Sequence, residues 1–241
     1  MKKILIIILA LNINYLAQSE NQVGWIAKFG GAIGFSPTIL FPNYDDVNVK
    51  LSSLGLDKLT GPIYAPGASG YIYVMIIDNM RLGGFAFGGS QSTVNKKNNL
   101  ESEVMYSLNG GGFTIEYTMP FVKKIALSAG LMFGGGSLDI QIHQNNNSFN
   151  WNDVWSSVDN YQAVENKSYN LNNSFYLVSP TINVDVPINR FIALRGGLGY
   201  QFTFGDSWEI ANGKELKNVP SSLNGNAFFI QTGIYIGLFA F

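Results

Sequence analysis

The feature that most constrains this chain is a two-residue alternation of apolar and polar side chains, which recurs in eight long stretches. A period of two is the signature of a strand with two unlike faces. The stretches cover residues 23–35, 67–78, 81–91, 100–119, 125–143, 174–186, 191–204 and 226–241. Each has about 11 residues or more, against about 5 to 6 in an ordinary globular strand. A tilted strand needs about 9 to 11 residues to cross a hydrocarbon layer, so all eight are long enough.

The faces can be assigned residue by residue. Phe113, Ile115, Tyr117 and Met119 share one side, and Thr114, Glu116 and Thr118 the other. Ile125, Leu127, Leu131 and Phe133 oppose Ser128 and Gly130. Ile192, Leu194, Leu198, Tyr200 and Phe202 oppose Arg195, Gly197, Gly199 and Gln201. The apolar side is expected to meet lipid and the polar side a lumen. A water-soluble barrel would reverse this.

The connections alternate in length. Short ones fall at 78–80, 120–124 and 187–190, long ones at 36–66, 92–99, 144–173 and 205–225. Short turns at one rim and long loops at the other are the pattern of an outer-membrane barrel. An even strand count returns both termini to the short-turn, periplasmic rim.

Composition narrows the classes further. Hydrophobic residues make up 46% of the 241 positions and charged residues 13%, against about 25% charged in an average domain. That excludes disorder. A formal charge of -1 with dispersed Lys and Arg excludes a nucleic-acid surface. There is no cysteine and His143 is the only histidine, so disulfides and thiolate or multi-histidine metal sites are excluded. No metal and no cofactor is expected.

Met1-Lys2-Lys3 followed by apolar Ile4 to Leu11 and by Ala17 reads as a secretory signal peptide over residues 1–17. Residues 18–241 then form a single barrel domain. The last stretch ends in Phe241, which resembles the assembly signal of outer-membrane barrel proteins and implies recognition by the barrel-assembly machinery. With the strand layout, the chain resembles the small eight-stranded outer-membrane barrels of the OmpA, OmpX and OmpW type. The resemblance is architectural. It implies an all-β fold: a closed antiparallel up-and-down transmembrane barrel of eight strands, with short periplasmic turns and long extracellular loops carrying short helices. It also implies export to the outer membrane of a diderm bacterium and contact with outer-membrane lipid. No family motif fixes an activity.

Two stretches change phase. Apolar residues pass from odd to even numbers across Gly134-Gly135-Gly136, and a similar shift surrounds Gly110-Gly111-Gly112. The triplets lie at similar distances from the 120–124 turn and should face each other across the hairpin. Paired bulges or a sharp bend would account for both shifts.

The face assignment sends Lys28, Glu116, Asp185 and Arg195 into the lumen, each near the periplasmic rim. Two cations and two anions in one layer can neutralise each other, which a charge away from water requires. The expectation is an internal salt-bridge layer that closes the lower barrel. A gated ion path through the same charges is the alternative.

The long loops carry two amphipathic patterns. Val47, Leu51 and Leu54 follow Asp45-Asp46 at helical spacing, with Asp as a cap and Gly55 as a stop. Trp151, Val154, Trp155 and Val158 repeat that spacing. Asn212-Gly213 signals a tight hairpin. Leu51, Leu54, Trp151, Trp155 and His143 therefore mark a candidate extracellular surface. It is either a cap over the barrel mouth or a groove for a small apolar ligand, and the Trp helix also suits an interfacial anchor. His143 shares a face with Asp139 and has Ser148 and Ser156 in the following loop, so a lipid-modifying enzyme is one reading. A lone histidine at a polar rim is more often only solvated. The leading expectation is a non-enzymatic outer-membrane barrel with a structural or surface-interaction role. The second is a narrow channel or binding barrel for a small apolar molecule.

Overall fold

The computed structural model describes residues 29–74, 76–97, 100–120, 122, 125–145, 151, 166–205 and 207–240. The signal segment, Lys28, Trp155 and Phe241 lie outside these residues.

Among the described residues, twelve strands form one sheet. They are β1 (Phe29–Phe35), β2 (Thr38–Pro42), β3 (Ile63–Ala65), β4 (Gly67–Tyr73), β5 (Met80–Lys97), β6 (Leu100–Thr118), β7 (Ala126–Asn145), β8 (Lys167–Pro187), β9 (Ile192–Phe204), β10 (Trp208–Ile210), β11 (Lys214–Leu216) and β12 (Ala227–Ala240). Eight close a ring. β1 pairs β4, and each of β4 to β9 pairs the next of the eight, before β9 pairs β12 and β12 returns to β1. Every pairing is antiparallel. The ring leaves no free edge within the barrel wall, the condition for a sheet to cross lipid.

The remaining strands extend the ring outward. β2 continues β1 beyond Ser36-Pro37 and pairs β12, while β3 precedes β4 across Pro66 and pairs β2. Proline has no amide proton for the ladder, so each break falls where a strand bends. β10 continues β9 and pairs β8, then turns into β11. Asn212 and Gly213, in the three-residue turn 211–213 between paired Ile210 and Lys214, have φ of 66° and 67°, the left-handed region that Asn and Gly enter most readily.

The segments at 92–99 and 144–173 are only partly loops. Ser92 to Lys97 pair with Leu100 to Met105, and Lys167 to Asn173 pair with Leu138 to Gln144. β5 to β8 thus rise as a tall wall beyond the other strands.

The glycine triplets are cross-strand partners: Gly110 with Gly136, Gly111 with Gly135, Gly112 with Gly134. No bulge is present, since the β6–β7 register runs unbroken from Thr118–Ser128 to Glu101–Asn145. Even-numbered residues of β6 face inward along its whole length. Below the triplet they are Glu116 and Thr118, and above it Leu108, Tyr106 and Val104, all buried. The apparent phase change is therefore a change of surroundings. In the lower half apolar side chains point out, with Phe113 66% exposed and Leu131 42%. In the upper half Leu108 and Leu138 point in and are fully buried. The inner faces of the triplets are also close-packed. A Cβ at Gly112 would overlap the Phe133 carbonyl oxygen, and one at Gly134 the Gly111 carbonyl oxygen.

Candidate functional site

The lower lumen holds one charge cluster. Register places Arg81 of β5 opposite Glu116 of β6, and Asp185 of β8 opposite Arg195 of β9. All four residues are buried. Arg195 donates from Nη1 and Nη2 to the Glu116 carboxylate at 2.8 and 3.1 Å, and from Nε and Nη2 to Asp185 at 2.6 and 2.9 Å. Arg81 donates to Asp185 and lies 3.6 Å from Glu116. Asn183 donates to Glu116 at 3.3 Å. Two positive and two negative charges cancel within the layer.

Three tyrosines frame it. Arg81 lies over the rings of Tyr71 and Tyr73 at 4.7 and 4.9 Å, and Arg195 lies over Tyr71 and Tyr235, both at 4.9 Å. A guanidinium edge that forks onto carboxylates while its face rests on a π-system uses both of its binding surfaces. The Tyr235 hydroxyl reaches Ser69, whose hydroxyl donates to Ser36 at 2.8 Å.

Above this layer the interior becomes apolar. Phe85, Met132, Leu177 and Phe229 join the upper-sheet residues Leu108, Tyr106, Val104, Leu138 and Ile140 in one buried cluster. The helix α1 (Asp45–Ser53) belongs to it through Val47 and Leu51. Asp45 and Asp46 lie inside the first turn of α1, where they favour the positive helix end, while the capping oxygen comes from Asn43, which accepts from the Asp45 amide at 2.8 Å. Gly55, with φ of 71°, follows the last turn. The Asn48 side chain bonds both the amide and the carbonyl of Leu59, at 2.8 and 3.0 Å, and so pins the return segment to the helix.

Beside α1 a cavity of about 260 Å³ opens outward. Leu51 of α1 and Leu54 just after it line the cavity, with Ile142 and Leu171 from the wall and Leu216 and Val219 from the β11 side. Asp46, Lys50 and Lys217 also border it.

The expected site residues divide as follows. Glu116, Asp185 and Arg195 meet in the charge cluster. Lys28 lies outside the described residues, and Arg81 is the second cation bonded there. Arg81 was legible, because the alternation that sends Leu82 outward sends its neighbour inward next to the 78–80 turn. Leu51 and Leu54 line the cavity. Trp151 is helical and 75% exposed. His143 does not join them: its odd position on β7 is opposite in parity to the cavity-lining Ile140 and Ile142. Its Nδ1 lies 3.1 Å from the Ser168 hydroxyl. Asp139 is engaged by Ser137 and Asn172, at 2.8 and 2.6 Å. Ser148 and Ser156 lie outside the described residues.

No protein-family model matches the chain, and no curated protein matches it. Solved structures of similar fold include the outer membrane protein OprG from Pseudomonas aeruginosa, at 10% identity, TM-score 0.49, covering 91% of this chain and 100% of that one. A major outer membrane protein from Thermus thermophilus aligns at 6% identity, TM-score 0.47, covering 86% of this chain and 99% of that one. Ail, the attachment invasion locus protein of Yersinia pestis, solved with a heparin analogue, aligns at 8% identity, TM-score 0.44, covering 88% and 99%. The fold of this chain is a small closed antiparallel β-barrel of eight strands.

Proposed function

We propose that the chain is an integral outer-membrane barrel with a non-conducting lumen and a structural or surface-interaction role. Residues 1–17 direct its export, and the C-terminal apolar and aromatic segment engages the barrel-assembly machinery. The observation that carries the reading is the two-part interior within an inverted wall. Neutralised, mutually bonded charges fill the lower lumen. An apolar cluster that includes α1 fills the space above. Ions would have to break the first and wet the second. An enzymatic role at His143 is disfavoured, because the carboxylate on its own face is already bonded to Ser137 and Asn172.

The test is reconstitution of the full chain into a planar bilayer, after its folded state is established by heat-modifiable gel mobility. The expected result is a silent membrane. Stable single-channel steps from the folded protein would overturn the closed lumen. A second reading, a barrel that binds a small apolar molecule at its outer mouth, is favoured by the cavity beside α1.

A further inference from the structure

We infer that the cavity beside α1 takes a single-chain amphiphile with an anionic head, its apolar tail among Leu51, Ile142, Leu171 and Val219 and its head between Lys50 and Lys217. The inference rests on the second reading above and names its ligand class. Three observations lead to it.

The first is the lining. A cavity of about 260 Å³ lies near the lower end of small-molecule pockets, about 300–1,000 Å³. Its lining is mostly apolar, and its charged and amide members come from two segments only: Asp46 and Lys50 on α1, Lys217 and Asn218 after β11. An apolar body bordered by a few charged side chains matches a molecule with one apolar and one charged end.

The second is the charge balance of that border. The Asp46 carboxylate accepts from the Ser222 hydroxyl at 2.6 Å. Lys217 faces only a loose and solvent-exposed contact, 3.8 Å from Glu215. Lys50 makes no ion pair among the described residues. The charged residues that line the cavity itself are two lysines and one carboxylate, Glu215 not being among them, and this balance favours an anion over a cation.

The third is location. Ile140 and Ile142 lie above the glycine triplet of β7, so the cavity stands in the part of the molecule that buries its apolar residues away from water. Leu54 on its lip is 50% exposed although its neighbour Leu51 is buried. An acyl tail entering from the outer side would cover it.

The test uses the full mature chain in phosphatidylcholine nanodiscs with Trp208, which is buried against the cavity, as its sole tryptophan. Three quenchers of one chain length are compared: ω-bromodecanoate, ω-bromodecanol and ω-bromodecyl-trimethylammonium. The expected result is saturable quenching by the carboxylate at concentrations about tenfold below those needed for the alcohol. Lys50→Glu with Lys217→Glu should pass that preference to the ammonium. Ile142→Phe with Val219→Phe should abolish quenching, and Leu54→Asp, at a half-exposed position that leaves the core intact, should weaken the carboxylate alone. Equal binding of carboxylate and alcohol, or a charge reversal without effect, overturns the anionic head while leaving the apolar site standing. No saturable quenching by any of the three overturns the site itself.

Discussion

Replacement of Arg195 by methionine tests the physics of the charge layer most directly. Arg195 is 6% exposed and makes four hydrogen bonds to two buried carboxylates. Methionine preserves much of the apolar stem and removes the charge. Glu116 and Asp185 then share Arg81 alone, and the layer carries an uncompensated negative charge. Removal of one partner from a buried ion pair costs about 3–5 kcal/mol, because the survivor keeps its desolvation penalty without its attraction. That is comparable with the whole stability of a small domain, about 5–15 kcal/mol.

The geometry makes a sharper statement about rescue. Arg195→Met with Glu116→Leu leaves Arg81 and Asp185, which are directly bonded. Arg195→Met with Asp185→Leu leaves Arg81 and Glu116, 3.6 Å apart. Both pairs are neutral, so both should recover stability. The first should come within about 1–2 kcal/mol of the parent, since apolar replacement of a buried pair is nearly neutral, and the second should recover less. The assay is reversible urea unfolding in lipid vesicles, followed by tryptophan fluorescence and gel mobility. A cost under about 1 kcal/mol for Arg195→Met would mean a hydrated lumen and refute the argument. Double variants as unstable as the single would refute the pairing.

Three further outcomes follow from the same structure. Leu131→Arg, on the outer face of the lower wall, should destabilise the inserted barrel by about 2–4 kcal/mol, whereas Gln141→Arg, on the same face above the glycine triplet, should cost about 0–1 kcal/mol, as measured by unfolding from vesicles. Gly112→Ala should block folding in a gel-mobility assay because its Cβ meets neighbouring backbone, while Gly196→Ala, with open space around its Cβ, should fold normally. Burial, reinforced by neighbouring Tyr44, pushes the Tyr106 hydroxyl above the usual tyrosine value of 10.0. The folded state therefore holds this proton more tightly, its contribution is complete below pH 10, and stability should fall above it by about 1.4 kcal/mol per pH unit until the folded form ionises. Urea midpoints of Tyr106→Phe should lack that alkaline loss. At neutral pH they should match or exceed the parent, because the buried hydroxyl has no partner among the described residues.

The sequence carried the barrel because parity is local. Whether Glu116, Asp185 and Arg195 share a side with Thr114, Asn183 and Gly197 is decided by counting in twos, and long strands repeat the count many times. The cavity was less legible. Leu51 and Leu54 were marked by helical spacing, but Ile142 and Leu171 come from two strands separated by a long connection, and Trp208, Leu216 and Val219 reach it from a third segment. Which of these meet depends on the height of β7 and β8, and that height is hidden where paired strands read as polar loop. His143 shows the same limit. Its spacing from Asp139 is correct for one face, yet the face is the opposite one from the cavity, and the carboxylate is satisfied by a cross-strand asparagine that no local pattern announces.

The glycine triplets show why a shift of hydrophobic phase is ambiguous in a barrel of this kind. A change from odd to even apolar positions has two physical causes: an inserted residue that flips the strand, or a change of solvent on both faces of an unflipped strand. Residue spacing alone cannot separate them. The register does, because an insertion would offset the partners on its two sides, and Leu108–Leu138 and Ile115–Leu131 obey the same pairing rule. The strand therefore keeps its direction while the medium outside it passes from apolar to aqueous. Phe113 and Phe133, paired just below the triplets with ring centroids 6.0 Å apart, stand where an aromatic girdle marks that passage. An outer face carrying Phe113 and Ile115 below, then Ser107 and Glu103 above, is a record of bilayer thickness written on one strand.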